Sequence, residues 1–364
     1  CYTARRGTQA LFPESAFLCP EASGVSNGNP PAGSGPAGAK GGAGGASGGI
    51  VLTGSIAYDY LMSFPGRFRD HILPDRLDRL SLSFLVDSLV RRRGGIAANI
   101  AYTLALLGER PMVMATVGED FEDYRGWLEA RGVDTSAVRA VPGVFTASFF
   151  VNTDQAHAQI ASFYTGAMAH AVSLRFAELP CRPSLAVISA NDPGAMIAYV
   201  RECLELGMPY FYDPGQQIVR LDSPALVEGI MGARAFFVND YELGLVQEKT
   251  GLGMPELTER LEWITITRGD QGADIFSRDG AIHVPAIVPD VLVDPTGVGD
   301  AFRGGFFKGY LRELPLERCG QMGVLAATYC LEHEGTQGHE YDLASFLERF
   351  RRHFPDGREL DRLW

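Results

Sequence analysis

The sequence predicts an α/β protein: a central, mostly parallel sheet with helices on both faces, plus a small β-sheet standing off it. Three observations carry this. From Leu185 onward, strand-length and helix-length segments alternate (Leu185 to Ser189, Ala195 to Leu206, Tyr210 to Asp213, Pro224 to Met231, Ala235 to Val238), the pattern of a parallel sheet covered by helices. The first apolar run, Ile50 to Thr53, is unbroken and ends in Gly54-Ser55, as a strand buried on both faces does. Residues Ala147 to Tyr164 alternate in polarity instead, are rich in Phe, Val, Thr and Tyr, and carry Asn152-Thr-Asp154 as turn chemistry in their middle, a hairpin signature.

Composition sets the limits. The 364 residues are 46% hydrophobic, ample for a large core, and the folded unit is expected over residues 50–364. Residues 1–49 stand apart, because from about Ser23 to Gly49 the chain is nearly all Gly, Ala, Ser, Pro and Asn. Such a stretch buries too little apolar surface to offset its ordering entropy and reads as a disordered, low-complexity lead-in. Ahead of it, Arg5 and Arg6 precede apolar residues broken by Pro13 and Glu14, a poor match to a secretory signal. No segment is apolar for the eighteen or so residues a membrane span needs, so a soluble, cytoplasmic protein with no membrane partner is expected. A formal charge of -12 and a pI near 5.1 weigh against a nucleic-acid partner; Arg91-Arg92-Arg93 is the only basic run. The six cysteines show no CxxC pair or zinc spacing and read as reduced thiols.

The elements follow in order. Asp59 lies just beyond the first strand, near the C-terminal sheet edge where open α/β sheets bind ligands. Phe64 to Val90 reads as loops and short strands. Gly94-Gly95 precedes a helix that carries Asn99 one turn in and stops at Gly108. Met112 to Val117 is a strand, followed by a helix to about Arg131 with Gly132 as its stop. The small sheet is expected from strands within about 55–93 and 145–165. Asn239-Asp-Tyr-Glu242 ends one strand and opens a helix. Trp263 to Thr267 is a strand, and Gly272 to Ser277 with Ala281 to Pro285 form a hairpin through Asp279-Gly280. Leu316 to Leu331 and Leu343 to Arg352 are amphipathic helices, and the loop Glu334 to Gln337 between them is expected to cover a nucleotide.

The stretch with the most chemistry is Asp294-Pro-Thr-Gly-Val-Gly-Asp300, directly before an apolar-faced helix. Gly297 and Gly299 let the backbone turn tightly, and the helix start adds unpaired N–H groups and the positive end of its dipole. By spacing alone two readings stand side by side: a phosphate site, or a plain strand-to-helix turn with Asp300 as N-cap.

The whole string resembles the second signature of the ribokinase (pfkB) family of sugar and nucleoside kinases, DTxGAGD, with Pro295 and Val298 as mild departures. Gly94-Gly95 with Asn99 resembles the family's GGxxxN, Gly54 to Asp59 its GxxxxD strand, Val117 to Asp120 its VGxD, Asn239 to Glu242 its NxxE, and Thr267, Gly269 and Gly272 its TxGxxG. These motifs stand in family order over nearly all of Ile50 to Arg352. A narrower likeness, in Ser81 to Val86, Gln159 to Tyr164, Asp213 to Gln217 and Asp300 to Arg303, is to the adenosine kinases of mycobacterial type.

The resemblance implies a ribokinase-like fold with a lid, and ATP, Mg²⁺ and adenosine as reactants. It also implies a homodimer joined through the lids. Asp59 and Asn99 would bind sugar hydroxyls, with Ser55, Gly94 and Gly95 beside them. Asn239, Thr267, Gly269 and Gly272 would contact the nucleotide. Glu242 would help hold Mg²⁺, and Asp294 with Thr296 a monovalent cation such as K⁺. A ribose 5′-hydroxyl is too weakly acidic to attack unaided at neutral pH and needs a carboxylate to take its proton; Asp300 is the candidate general base, since a helix start favours its ionised form and the family places its catalytic Asp at the last residue of this signature. The N–H groups of Gly297, Val298, Gly299 and Asp300, with Arg220, would meet phosphoryl charge. Carboxamides offer a purine both donors and acceptors, so Gln216 and Gln217 are candidates to read the base, with Phe149 and Phe163 to stack on it. Other acceptors, such as inosine, guanosine or ribose, and a catalytically silent nucleoside sensor stay open, since Asp59 and Asn99 suit any of them.

Overall fold

The computed structural model describes residues 49–72, 81–354 and 360; the expected lead-in lies outside them. The strands are β1 (Ile50–Thr53), β2 (Ala57–Ser63), β3 (Ser88–Gly94), β4 (Met112–Val117), β5 (Val138–Ala140), β6 (Ala147–Thr153), β7 (Gln159–Tyr164), β8 (Leu185–Ser189), β9 (Tyr210–Asp213), β10 (Ala235–Asn239), β11 (Trp263–Thr267), β12 (Ala273–Ser277) and β13 (Gly280–Val284). The helices are α1 (Ile96–Leu106), α2 (Glu122–Glu129), α3 (Pro193–Leu206), α4 (Ser223–Gly232), α5 (Asp240–Thr250), α6 (Met254–Arg260), α7 (Val298–Leu311), α8 (Leu316–Leu331) and α9 (Leu343–His353).

The large sheet has the order β13-β12-β11-β10-β9-β8-β1-β4-β5. It is parallel from β11 to β5, and the β12-β13 hairpin extends it antiparallel at one edge. Both faces are buried, because alternate strand residues enter two separate cores. Leu52, Phe211 and Phe237 pack with Phe306, Phe307 and Met322 of α7 and α8, while Val51, Tyr212 and Phe236 pack with Tyr199, Leu226 and Ile230 of α3 and α4. Each such side chain contributes about 1.5–3 kcal/mol of apolar burial. This explains why β1 and β8 read as continuous apolar runs rather than alternating ones.

The small sheet has the order β3-β2-β6-β7. All four of its strands meet the body at one edge: β2 begins at Ala57, which pairs with Gly94 at the end of β3 and with Ala147 at the start of β6, and β7 ends at Tyr164 opposite Ser148. Only Gly54, Ser55 and Ile56 separate β1 from β2. Asp59 pairs with Arg92 and Phe149, and Phe149 with Phe163, so these side chains share one face. On the opposite face Tyr60 stacks on Phe150 at 4.7 Å beside exposed Leu89, Ile160 and Tyr164.

Two expectations are corrected. Within Phe64 to Val90, read as loops and short strands, the described residues form a strand only from Ser88, because β2 ends at Ser63, the partner of Ser88, and offers nothing earlier to pair with. Cys203, Cys319 and Cys330 are free and buried, but Cys181 is disulfide-bonded. Among the described residues no helix is long and apolar enough to cross a membrane.

Candidate active site

The start of α7 organises the site. Gly297 adopts φ 80°, and a Cβ there would lie 2.7 Å from Thr336 Cγ2, so the turn needs glycine for both its conformation and its closeness. The first intrahelical bond is Ala301 N–H to Gly297 O at 2.9 Å, which leaves the N–H groups of Val298, Gly299 and Asp300 without a partner inside the helix. Asp300 therefore stands in the first turn, at the positive end of a 14-residue helix.

Asn99 comes to Asp300 from α1. The chain reaches α1 through Gly95, whose φ is 97° and whose Cβ would sit 2.6 Å from Ala57 N, so β3 and α1 join where no side chain fits. One turn later Asn99 Nδ2 donates to Asp300 Oδ2 at 2.8 Å. Burial pushes the Asp300 carboxyl up to about 7; the Asn99 bond and the Arg303 charge oppose the rise, and Asp213 and Asp59 add to it. Asp59 is raised to about 6 by burial and by Asp294.

Two cavities meet beside this carboxylate. The larger, of about 810 Å³, is walled by Ile287, Val288, Leu292, Val298, Phe302, Ala327 and Leu331, with Asn239, Thr267, Gly269 and Gly272 on one side. The smaller, of about 280 Å³, is lined by Asp213, Gly215, Gln216, Glu242, Asp300 and Arg303. Asn239, Thr267 and Gly299 line both. A mostly apolar chamber thus opens at Gly299 into a charged one that contains Asp300.

Arg303, one turn along α7, donates through Nη2 to Asp213 Oδ1 at 2.6 Å and through Nη1 to Gly299 O at 3.0 Å. Asn239 and Glu242 form the capping box of α5: Asn239 Oδ1 accepts from Glu242 N at 2.7 Å, and Glu242 Oε2 accepts from Asn239 N at 2.9 Å. Burial raises the Glu242 carboxyl, with Arg303 and the Asn239 N–H opposing. Asp294 Oδ1 accepts from Thr296 N and Oδ2 from Gly335 N, each at 2.9 Å. Although burial acts to raise it, the bonds from Thr296 and Gly335 hold this carboxyl below its ordinary range.

The structure gathers Asp300, Gly297, Gly299, Glu242, Asn239, Thr267 and Gln216 around the smaller cavity. It sets others apart. Arg220 is exposed and lines neither cavity, because the single turn Gly215–Val219 carries the chain outward; the guanidinium that lines the smaller cavity is that of Arg303. Gln217 is turned inward, 5% exposed, with Oε1 unpartnered. Ser55 is buried, and its hydroxyl accepts from Ile96 N at 3.2 Å, fastening α1 rather than facing either cavity. The loop Glu334 to Gln337 does not lie over the larger cavity: Thr336 Oγ1 donates to Arg93 O, and Gln337 is buried against Asn99 and Trp127. Phe149 and Phe163 face the Asp59 side of the small sheet. Arg303 and Asp213 receive no role from the sequence, and Gln337 only that of a covering loop, because what recruits them is tertiary.

Residues 59–341 match the description pfkB family carbohydrate kinase. The chain belongs to the pfkB family. Within it, the chain is similar to the nucleoside kinase of Methanothermobacter thermautotrophicus, 31% identical over 308 residues that cover 83% of this chain and 95% of the relative. It is similar in structure to the nucleoside kinase of Burkholderia thailandensis in complex with inosine, at a TM-score of 0.76 and 34% identity over 84% of this chain and 99% of the other. That protein's complex with ADP-inosine matches at a TM-score of 0.74 and 37% identity, over 84% of this chain and 96% of the other. The adenosine kinase of Sinorhizobium meliloti shares the pfkB fold at a TM-score of 0.66 but only 20% identity, over 84% and 99% of the two chains. The ribokinase-like fold read from the sequence is thus found, and the Methanothermobacter and Burkholderia relatives, both above 30% identity over most of this chain, are nucleoside kinases.

Proposed function

We propose that this kinase transfers the γ-phosphoryl group of ATP to the 5′-hydroxyl of a purine nucleoside, adenosine being the acceptor expected from the sequence, with Asp300 as general base. The observation that carries this is the position of Asp300: a carboxylate with a pKa near 7, in the first turn of α7, where an apolar chamber of nucleotide size opens into a charged one. A base poised near neutral pH combines the ionised form with useful basicity. Asp59 is the candidate to grip the ribose hydroxyls, the Asn99 carboxamide being engaged by Asp300 and Gln337, and Phe149 and Phe163 give the base a stacking face.

The N–H groups of Val298, Gly299 and Asp300 and the Arg303 guanidinium meet the charge of the moving phosphoryl group. The hard oxygens of Glu242 and Asp213 in the smaller cavity suit Mg²⁺, which binds through few carboxylates together with phosphates and waters and would supply charge neutralisation there. Asp294 and Thr296 remain the residues offered for K⁺, with both Asp294 oxygens already accepting backbone N–H groups. The open face of the small sheet, with Leu89 62% and Ile160 43% exposed, supports self-association, which light scattering of the purified protein tests.

A second acceptor is favoured by the inosine complex of the Burkholderia thailandensis relative. Coupled ADP release across adenosine, inosine, guanosine, cytidine, ribose and fructose 6-phosphate decides. Turnover of adenosine is expected; a preference for inosine would move the acceptor within the purine nucleosides, and turnover of ribose or fructose 6-phosphate alone would overturn the proposal.

A further inference from the structure

Trp127, Gln337, Asn99 and Asp300 form a chain of side chains whose hydrogen-bond direction is fixed from one end. An indole N–H can only donate, so the atom of Gln337 that faces Trp127 Nε1 at 3.1 Å must be its oxygen. The amide nitrogen of Gln337 then points the other way and donates to Asn99 Oδ1 at 2.9 Å and to the Tyr124 hydroxyl. The Tyr124 proton is already committed to Gly94 O at 3.0 Å, so that hydroxyl is an acceptor for Gln337. With its oxygen occupied, Asn99 has only Nδ2 to turn toward Asp300 Oδ2. Reversing either carboxamide would set donor against donor or acceptor against acceptor in a place water does not reach, since Asn99 and Gln337 are 4% and 7% exposed.

We propose that Gln337, oriented by Trp127, is a positioning residue for the reaction: it locks Asn99 as a donor to one oxygen of Asp300 and leaves the other oxygen to take the proton of the acceptor hydroxyl. This rests on the reading of Asp300 as the base. An Asn99 released by Gln337 can turn its oxygen to accept from a protonated Asp300, which favours the neutral acid over the ionised form the reaction needs. The other charged groups facing Asp300 are Arg303 on its own helix, Asp213 at the end of β9, Asp59 on β2 and Glu242 on α5; the Cys330 thiol of α8 is raised to about 12 by burial and stays neutral. None of them is altered by a change at Gln337 or Trp127.

The test is kcat against pH, with KM for both substrates and melting temperature, for Gln337→Met, Trp127→Phe and Asp300→Asn. Gln337→Met is expected to move the acid limb of kcat upward by about one pH unit, the equivalent of part of a hydrogen bond to a charged group, and to lower kcat about tenfold below that limb with KM for ATP unchanged. Trp127→Phe keeps an aromatic face for Arg93 and Arg131, which lie over this ring, and loses only the orienting N–H. It should move the limb in the same direction and by less. A limb at the wild-type pH in Gln337→Met overturns the proposal whatever the melting temperature does. If Asp300→Asn loses its activity while that limb stays put, only the positioning role falls; if Asp300→Asn turns over like wild type, the base assignment falls and the positioning role with it.

Discussion

Arg303 and Asp213 form an ion pair at 2.6 Å, with side chains 9% and 3% exposed, and the same guanidinium reaches the carbonyl of Gly299. The pair ties the end of β9 to the first turn of α7 and puts opposite charges beside Asp300, which Arg303 lowers and Asp213 raises. The two partners should therefore move the pH profile in opposite directions. Arg303→Met shifts the acid limb of kcat to higher pH and Asp213→Ala to lower pH. Asp213→Ala also strands a buried cation, at a cost of about 3–5 kcal/mol, so its melting temperature falls clearly. Limbs that move together would show that the pair does not act on Asp300 electrostatically.

Asp300→Asn keeps the shape of the side chain but cannot take a proton. Its kcat should drop on the order of 10²- to 10⁴-fold, with KM for the acceptor little changed. In the wild type, activity should climb with pH through about 7, since the base must be ionised. Steady-state kinetics from pH 5.5 to about 8.5 measures both.

The same carboxylate has a stability signature. A folded-state pKa of about 7, above the unfolded value, means the native chain holds this proton where the unfolded chain has lost it. Whatever the neutral carboxyl contributes is present at low pH and is lost as pH rises toward 7. Asp59, at about 6, acts in the same sense. The melting temperature of Asp300→Asn minus that of wild type should grow between pH 4 and pH 8; a constant difference, read by differential scanning fluorimetry, would contradict the raised pKa.

Gln216 and Gln217 are separable by their surroundings. Gln216 is exposed to the smaller cavity and Gln217 is turned inward. Gln216→Ala should raise KM for the nucleoside by an amount equivalent to about 1–3 kcal/mol and spare KM for ATP. Gln217→Ala should act mainly on melting temperature. A reversed pattern would show that Gln217 is the residue that meets the acceptor.

The parts of this site that are legible in the sequence are those held by local geometry. The turn at Gly297, the first residues of α7 and the Asn239–Glu242 capping box are each set within a few residues, and the motifs point to them. The strands β4, β8, β9 and β11 are bounded by turn chemistry and fall at the expected residues. What is not legible is recruited across the chain. Gln337 meets Asn99 from 238 positions away, and Arg303 meets Asp213 from 90, so neither has a neighbour in sequence that explains it. Arg220 stands close to Asp213 in sequence, but one turn of 3₁₀ helix removes it from the cavity.

The single edge by which the small sheet meets the body makes that sheet a cantilever. Its root runs through Ala57, Gly94 and Ala147, and displacement grows with distance from it. At about 3.3 Å per strand residue, Asp59 lies about 7 Å from the root and Ser63 about 20 Å. A swing of about 10° would carry the tip by about 3.5 Å and Asp59 by only about 1.2 Å, on the same spacing. The Asp59 carboxylate thus moves little relative to Asp300 while the outer strands sweep the space in front of it, and on the proposed reading entry of a nucleoside need not disturb the geometry of proton transfer.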